Sequence, residues 1–250
     1  MKIVVIGGSG LIGSKVVGKL NAHGHEAVAA SPNSGVNTIT GEGLAEFLVN
    51  ADVVVDVSNS PSFADNDVMA FFTTSTANLL AAEKVAGVTH HVALSIVGAD
   101  RLPGSGYMRA KVAQEKLILD SGVAYSIVRA TQFLEFATGI AASAADGDTV
   151  RLPHSLTRPI AAEDVATTVA RTAAAPALNG TLEIAGPNEL PLDVWIRTAL
   201  ELGNDPRTVV SDPEAPYFGV VPAERDLVPG DSATFFTTSL EEWFPGEARA

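Results

Sequence analysis

The first half of the chain alternates short apolar runs with longer segments in which apolar residues recur at helical spacing. The runs Ile3–Ile6 and Ala27–Ala30 predict strands, with a helix over Leu11–Ala22 between them. Val53–Val57 and Val92–Val97 are continuous apolar runs, which are typical of parallel strands buried on both faces. The other predicted elements of this half are helices over Asp67–Ala86 and Tyr107–Asp120 and a strand over Tyr125–Arg129. This alternation predicts an α/β fold with a parallel sheet and right-handed crossovers.

After about Ala130 the pattern changes. It predicts helices over Phe133–Ala145, Ala162–Ala174 and Val194–Leu202, a short strand over Leu182–Ala185, and an irregular, proline-rich tail from Asp205 onward. We find no internal repeat, low-complexity tract or linker in the sequence. We therefore expect a single domain over residues 1–250, with its core over about 1–130. A smaller region over about 131–250 is expected to face the substrate at the carboxyl ends of the strands.

Composition and charge narrow the classes of function. Of the 250 residues, 46% are hydrophobic and 18% are charged, a balance typical of globular proteins. The net charge of −13 argues against direct binding of nucleic acid, which needs clustered Lys and Arg. No cysteine is present, so disulfides and thiol chemistry are excluded. The sequence has no signal-peptide pattern and no apolar run long enough to span a membrane, so we expect a cytoplasmic protein without a membrane partner.

A glycine-rich segment joins the first predicted strand to the first predicted helix. In this context, one glycine permits a tight turn, another lets the backbone approach a pyrophosphate, and a third allows the helix to pack on the strand. The amino terminus of the helix adds free N–H groups and a positive dipole end. We expect these residues to bind a dinucleotide cofactor: Gly7, Ser9, Gly10, Leu11, Ile12 and Gly13. The alternative is a strand–helix turn that binds no ligand.

The end of the second predicted strand bears on the choice between NAD and NADP. An Asp or Glu there would bind the ribose hydroxyls of NAD and repel a 2′-phosphate. This chain has Ser31, Asn33 and Ser34 in that segment, and its next acid is Glu42. The absence of an acid favours NADP, but no Arg or Lys stands there to pair with the phosphate and the nearest cation is Lys15, so NAD stays open.

Three polar residues further along the chain form a candidate catalytic set. Tyr107 and Lys111 are four residues apart on a predicted helix and therefore share one face. A nearby ammonium group makes a phenol a better acid–base group, and it can also hold the ribose of a cofactor. Ser95 lies near the end of the preceding strand, where its hydroxyl could bind a substrate carbonyl oxygen. Hydride would pass from nicotinamide to the carbonyl carbon, and Tyr107 would protonate the oxygen.

With these motifs, the chain from Met1 to about Ala185 resembles the short-chain dehydrogenase/reductases, specifically their atypical, NmrA-like branch. The resemblance implies a Rossmann-type, doubly wound parallel sheet, a bound NAD(P), and Ser95, Tyr107 and Lys111 as catalytic groups. The family's catalytic asparagine has no secure counterpart here, although Asn78 lies on the corresponding helix. Besides the glycine turn, the matching segments are 95–100 (SIVGAD), 107–111 (YMRAK), 129–133 (RATQF), 158–165 (RPIAAEDV) and the run that begins NLLAA at 78.

The resemblance also indicates where further contacts with the cofactor are expected. Val57, Ser58 and Asn59 end the third predicted strand, where the family places adenosine and ribose, and Ser58 is expected near the cofactor, although it could instead cap its own loop. Ala130 and Thr131 follow the strand after the catalytic helix, beside the expected nicotinamide. Lys111 would contact the ribose as well as the tyrosine.

Substrate contacts are expected from the second half of the chain. Phe133 and Phe136 are candidates to line the pocket, although such a pair also suits core packing, and His154 is a candidate polar contact. The histidine spacing does not fit a zinc site, so we expect no metal. We expect His90 and His91 in a polar loop before a buried strand.

The leading hypothesis is an oxidoreductase, NADP-preferring, that reduces a carbonyl or quinone of a small molecule. A rival hypothesis is a dinucleotide-binding redox sensor without turnover, which the NmrA-like branch also includes. A third is an epimerase or dehydratase, which would need a second acid–base residue. The sequence does not identify the substrate, and the family resemblance is consistent with a homo-oligomer. Arg158 is expected to pair with an acid such as Glu163 or Asp164.

Overall fold

The computed structural model describes residues 1–247 as an α/β fold. The strands are β1 (Lys2–Ile6), β2 (Glu26–Ala30), β3 (Val53–Asp56), β4 (His90–Ile96), β5 (Tyr125–Ala130), β6 (Ala145–Asp146), β7 (Thr149–Leu152), β8 (Leu156–Thr157), β9 (Gly180–Ala185), β10 (Leu190–Pro191), β11 (Thr208–Ser211) and β12 (Thr234–Phe235). The helices are α1 (Leu11–Ala22), α2 (Leu44–Phe47), α3 (Asp65–Ala86), α4 (Gly106–Asp120), α5 (Ala137–Ser143), α6 (Ala162–Ala174), α7 (Leu192–Leu202) and α8 (Leu240–Glu247).

A seven-stranded central sheet has the order β12-β9-β5-β4-β3-β1-β2. The pairings of β1 with β2 and β3, of β3 with β4, and of β9 with β12 are parallel. All four residues of β3 are buried, as the apolar run that forms it predicts. The predicted Rossmann-type, doubly wound parallel sheet is confirmed.

Glycines set the starts and ends of the helices that matter for the site. α3 is terminated by Gly87 at its C-cap, whose φ of +76° is strained for other residues and favours glycine. At the first residue of α4, a Cβ on Gly106 would lie 1.9 Å from Oδ1 of Asp65 in the first turn of α3. This close approach of the two helices fixes the start of α4 and therefore the position of Tyr107, the next residue.

The chain divides into two compact units, and each is made of several segments. The first unit contains Met1–Ser95, Gly106–Arg129 and Val165–Leu182, and so holds β1 to β3, α1 to α4 and most of α6. The second unit contains Ile96–Ser105, Ala130–Asp164 and the chain from Glu183 onward, with β6 to β8, α5 and α7. The change in the sequence pattern at about Ala130 coincides with the start of a long segment of the second unit, Ala130–Asp164. After that segment, most of α6 belongs to the first unit again.

Two predictions for the second half of the chain are wrong. The predicted helix over Phe133–Ala145 is a 3₁₀ turn over Leu134–Phe136 followed by α5, and Ala145 begins the short strand β6. The tail predicted as irregular contains β11, β12 and α8. The sequence pattern missed them because such short elements are stabilised by pairing and packing and show no hydrophobic period of their own. Within residues 1–247, no helix is long and apolar enough to cross a membrane.

Candidate functional site

The glycine turn between β1 and α1 folds tightly against the end of β3. Gly7 donates its N–H to Ala30 O at 2.9 Å, and its φ is +77°. A Cβ on Gly7 would lie 2.9 Å from the backbone of Ser58, so only glycine allows the chain to pass here. Gly10 then donates its N–H to Gly7 O at 2.9 Å and closes the turn.

The amino terminus of α1 is suited to bind an anion. Gly10 occupies the N-cap position and makes no side-chain cap, and Ser9, Gly10 and Leu11 are exposed. Ile12 and Gly13 are buried, and a Cβ on Gly13 would lie 2.1 Å from Gly7 O. The helix can therefore pack directly on the turn, which leaves its first N–H groups and its dipole available to a phosphate. These features fit the pyrophosphate of a dinucleotide.

The segment after β2 forms a short 3₁₀ turn over Pro32–Ser34 that satisfies its own polar groups. Ser34 Oγ accepts the Ser31 N–H at 2.9 Å and donates to Ser31 O at 2.9 Å. Ser31 is buried at 8% exposure, whereas Asn33 is exposed. No acid or cation occurs between Ala30 and Gly41, so this segment neither repels nor attracts a 2′-phosphate by charge.

A buried carboxylate that the sequence analysis missed lies at the end of β3. Asp56 is only 2% exposed and accepts hydrogen bonds from the Ser58 N–H at 3.0 Å and the Ser58 hydroxyl at 2.6 Å. Gln114 Nε2 donates to its other oxygen at 3.0 Å. Val57 lies between these residues and is partly buried. The signal in the sequence was an acid ending an otherwise apolar strand, which predicts a paired buried carboxylate.

Lys111 is held below the surface by residues of the same network. It is 3% exposed, and its Nζ donates to Leu94 O at 2.9 Å and to Gln114 Oε1. The ammonium also lies 4.3 Å from the centroid of the Phe72 ring. Burial lowers the pKa of Lys111 to about 8, against the opposing attraction of Asp56 and Glu115.

Tyr107 lies one turn before Lys111 on α4 among aromatic side chains. Its ring centroid is 5.7 Å from that of Phe63 and 6.0 Å from that of Phe72. The phenol donates a long hydrogen bond, 3.4 Å, to Asn59 Oδ1. Burial raises the pKa of Tyr107 to about 12, so the phenol keeps its proton at neutral pH.

Ser95 faces a different set of partners. Its hydroxyl donates to Glu115 Oε1 at 2.6 Å, and the same carboxylate binds Arg129 through Nε at 2.9 Å and Nη2 at 2.6 Å. A serine has one O–H, so this hydrogen bond occupies the donor that would polarise a substrate oxygen. The hydrogen bonds of Ser95, Tyr107 and Lys111 therefore lead to three different groups of residues.

The second unit holds the remaining predicted contacts. Ala130 is 1% exposed and Thr131 donates its hydroxyl to Arg158 O, so both lie within the protein at the end of β5. Phe133 and Phe136 stack with centroids 5.1 Å apart, and Phe136 is 48% exposed. This pair is therefore partly open to solvent.

His154 forms part of a charged cluster in the second unit. It is exposed, and its Nδ1 lies 2.8 Å from Oδ1 of the buried Asp193. Arg197 Nη2 lies 3.3 Å from the other oxygen of Asp193. Because the Nδ1 of His154 bonds Asp193, its Nε2 lies on the other side of the ring and could form a hydrogen bond with a polar ligand.

Two further predictions are corrected here. His90 and His91 are not in a polar loop but buried in β4, where His90 Nε2 bonds Ser126 Oγ at 2.9 Å and His91 Nδ1 bonds Glu83 Oε1 at 2.8 Å. Burial alone would lower the pKa of His91, but Glu83 raises it above its usual value. Both histidines are satisfied by buried polar partners that an apolar pattern does not reveal, so the predicted strand began two residues too late, at Val92 instead of His90.

Arg158 pairs with an acid, as expected, but that acid is Glu189, at 3.2 Å, and the guanidinium also packs over the Phe235 ring at 4.6 Å. Asn78 donates to Thr38 O and Ile39 O, both at 2.9 Å, and tethers that loop to α3. Among residues 1–247, no group of three or more His, Cys, Asp or Glu side chains could hold a metal ion.

A family model described as NAD(P)H-binding matches residues 7–176, well over half of the chain. The chain therefore belongs to this NAD(P)H-binding family. The photosystem II assembly factor Ycf39 of Synechocystis is 27% identical over 149 residues, which are 54% of this chain and 46% of that protein. The chain thus matches less than half the length of this relative. The predicted NAD(P) cofactor class and the expected membership of an NAD(P)-binding family are confirmed.

Solved structures with the same fold include reductases. A dTDP-4-dehydrorhamnose reductase of Clostridium acetobutylicum has a TM-score of 0.77 and 15% identity, with all of both chains covered. The Bacillus anthracis enzyme in complex with NADP has a TM-score of 0.72 and 13% identity, covering 98% of each chain. An NADPH-dependent quinone oxidoreductase of Escherichia coli has a TM-score of 0.70 and 17% identity, covering 98% of this chain and 99% of that chain.

Proposed function

We propose that this chain is an NADPH-preferring oxidoreductase that reduces a carbonyl group or a quinone of a small molecule. The observation that carries the proposal is the first turn of α4, which presents Tyr107 as a protonated phenol one turn from Lys111, a buried cation. A phenol whose pKa is raised to about 12 is a proton donor at neutral pH, and reduction of a carbonyl requires a donor. The reductases among the structural relatives support the same direction of reaction.

Different residues of the first unit would bind the cofactor, donate the proton and stabilise the resulting charge. NADPH, when bound, supplies the hydride. The turn at Gly7–Gly13 and the amino terminus of α1 would hold its pyrophosphate, and Ser58, which lies against Gly7, would contact its adenosine side. Tyr107 would give its proton to the substrate oxygen, and the charge of Lys111 would stabilise the phenolate that remains. Asn59 would orient the phenol through the hydrogen bond it accepts.

Ser95 enters this proposal as a supporting residue. Its hydroxyl donates to Glu115 of α4, which also pairs with Arg129 of β5, so Ser95 would anchor the helix that carries Tyr107 and Lys111. A role in polarising the carbonyl would require the hydroxyl to leave Glu115 when substrate binds.

Reduction should lose rate at alkaline pH because Lys111 loses its charge. The lysine is protonated below its pKa of about 8 and neutral above it, whereas Tyr107 keeps its proton in this range. We expect kcat to be level below about pH 7 and to fall through an apparent pKa near 8. The measurement is a pH profile of NADPH oxidation for the wild type and for Lys111→Arg. The guanidinium stays charged, so the variant should keep a level profile through this range at a lower rate. The same falling limb in both proteins would remove Lys111 as its cause.

The preference for NADPH should reverse when an acid is placed after β2. In Ser31→Asp, the carboxylate would repel the 2′-phosphate and could bind both ribose hydroxyls of NADH. We expect NADPH to bind at least roughly tenfold more weakly and NADH at least as tightly, measured by titration with each cofactor. Thr40→Asp places the same charge at an exposed position further along the chain and should leave both affinities unchanged. Tighter binding of NADH than of NADPH by the wild type would contradict the proposed preference.

A second candidate function is dinucleotide sensing without turnover. One observation favours it: the donors of Ser95 and Lys111 are already bound to Glu115, Leu94 and Gln114. The two functions separate when NADPH oxidation is followed with a panel of quinones, aldehydes and ketones while NADPH binding is titrated in parallel. Turnover with any member supports the reductase, and tight binding with no turnover by any member supports the sensor.

A further inference from the structure

Two buried charged side chains of the first unit, Asp56 and Lys111, form no ion pair within residues 1–247. The donors to Asp56 are all neutral: the N–H and hydroxyl of Ser58 and Nε2 of Gln114. The acceptors of Lys111 Nζ, which are Leu94 O and Gln114 Oε1, are neutral as well. Burying a charge without a compensating charge is costly. Each of these two groups therefore needs an opposite charge that its direct contacts do not supply.

Gln114 joins the two groups through the two ends of its buried amide. A carboxylate only accepts hydrogen bonds and an ammonium only donates them. The NH₂ end therefore faces Asp56, at 3.0 Å, and the oxygen faces Lys111. In this orientation, the amide dipole has its positive end at the anion and its negative end at the cation. One side chain thus stabilises both charges and holds them two hydrogen bonds apart.

Glu115 also lies near Lys111, but a cation already neutralises it. Arg129 donates to its carboxylate through Nε at 2.9 Å and Nη2 at 2.6 Å. Burial lowers the pKa of Lys111 to about 8, and the attractions of Asp56 and Glu115 oppose that effect. Because Arg129 offsets the charge of Glu115, Asp56 is the nearby anion whose charge is left for the lysine.

Two further titratable groups border the pair. His91 on β4 lies in the field of Asp56 but bonds Glu83 at 2.8 Å, so that carboxylate balances its charge when it is protonated. The Tyr107 phenol, one turn before Lys111, keeps its proton at neutral pH because burial raises its pKa to about 12. Neither group supplies the charge that the pair needs.

We propose that Asp56 is the counter-ion of Lys111 and that Gln114 is the residue that positions the two. Neither Asp56 nor Gln114 has a role in the proposed reaction as it stands. The effect of the pairing on rate rests on the proposed function, in which the charge of Lys111 stabilises the phenolate of Tyr107. The pairing itself does not depend on turnover.

The first test measures the pKa of Lys111 in the full-length protein without cofactor. With ¹³C at Cε, the six lysines are followed by NMR as the pH is raised, and Lys111→Arg identifies the signal of interest. Asp56→Asn removes the charge and keeps the shape. It should lower the pKa of Lys111 from about 8 to about 7 or below, at least a roughly tenfold rise in its dissociation constant. Asp52→Asn makes the same change at an exposed position just before β3 and should leave the pKa of Lys111 unchanged. Equal values in the wild type and Asp56→Asn would overturn the proposal.

Gln114→Met tests the positioning role, because methionine fills similar space and removes both hydrogen bonds. The Lys111 ammonium loses one of its two acceptors, so its pKa should fall. An unchanged pKa, or a rise caused by direct contact of Lys111 with Asp56, would remove Gln114 from this role.

A double-mutant cycle tests the pairing through thermal unfolding. Asp56→Asn leaves the charge of Lys111 uncompensated, and Lys111→Met leaves that of Asp56 uncompensated. Each change alone should lower Tm, and the double variant should lose clearly less than the sum of the two losses, because it buries neither charge. An Asp56→Asn chain too unstable to fold should be rescued by Lys111→Met. Additive losses, or failure of that rescue, would overturn the proposal.

A pH profile of NADPH oxidation separates this proposal from the reductase. In Asp56→Asn, the falling limb of kcat should move to lower pH with the pKa of Lys111. A lowered pKa of Lys111 in a chain that turns over no substrate would support the pairing and contradict the reductase. Turnover with an unchanged pKa of Lys111 in Asp56→Asn would support the reductase and overturn the pairing.

Discussion

Replacing Tyr107 with phenylalanine is expected to lower kcat by about 10²- to 10⁴-fold, the usual contribution of a positioned general acid. Phenylalanine keeps the ring that packs with Phe63 and Phe72 at centroid distances of 5.7 and 6.0 Å, and it removes only the phenol. NADPH affinity should therefore stay within about twofold of the wild type. The measurement is the rate of NADPH oxidation with the best substrate of the panel, together with an NADPH titration.

Tyr125 supplies the matched control for this variant. It lies on β5 and its partly buried ring packs against an apolar cluster that includes Ile118 and Ile127. Tyr125→Phe makes the same chemical change outside the proposed site and should keep the wild-type rate. Equal turnover by the wild type and Tyr107→Phe would show that the proton comes from another donor, such as solvent, and would remove Tyr107 from the mechanism.

Substituting Gly13 with alanine is expected to have the largest effect on cofactor binding. The added Cβ would lie 2.1 Å from Gly7 O and 2.6 Å from Gly8 Cα, so α1 must move away from the turn. Overpacking of this kind costs about 1–3 kcal/mol or more in the free energy of unfolding. Because the same movement withdraws the helix N–H groups from the pyrophosphate, NADPH should bind at least roughly tenfold more weakly.

Gly18 is the control in the same helix, since a Cβ there has no atom within 4 Å. Gly18→Ala should raise the free energy of unfolding by up to about 1 kcal/mol through helix propensity and leave NADPH affinity unchanged. Thermal unfolding and NADPH titration of both variants give the comparison. Wild-type stability and affinity in Gly13→Ala would mean that close packing of α1 on the turn is unimportant for binding.

The sequence predicts the regular part of the fold well because each element there has local signals. α1 and α6 have the predicted bounds, since Gly10 and the Arg158-Pro159-Ile160 segment precede them and turn residues follow. The strands of the second unit carry no such signal. β6, β8 and β10 have two residues each and exist only through their pairing with other strands. A two-residue strand has no period that a sequence pattern can reveal.

The candidate site shows a similar division. Spacing alone places Tyr107 and Lys111 on one face of α4, and the glycine motif predicts the turn. The partners of Ser95 and Lys111 depend instead on tertiary contacts: Glu115, for example, bonds Ser95 at 2.6 Å although it lies 20 residues away in sequence. The roles of Asp56 and Asn59 likewise depend on tertiary contacts. Each acts through a residue of α4, and their importance becomes visible only when the end of β3 and that helix are packed together.

The most direct test of the central claim is a single-turnover experiment with the protein in excess over NADPH. Binding is followed by the fluorescence of the nicotinamide and oxidation by its absorbance, after mixing with each quinone, aldehyde and ketone of the panel. We expect binding followed by oxidation with at least one class of substrate, and in Tyr107→Phe the same binding followed by oxidation that is about 10²- to 10⁴-fold slower. Complete binding of NADPH with no oxidation by any member of the panel would contradict the reductase and favour a binding protein.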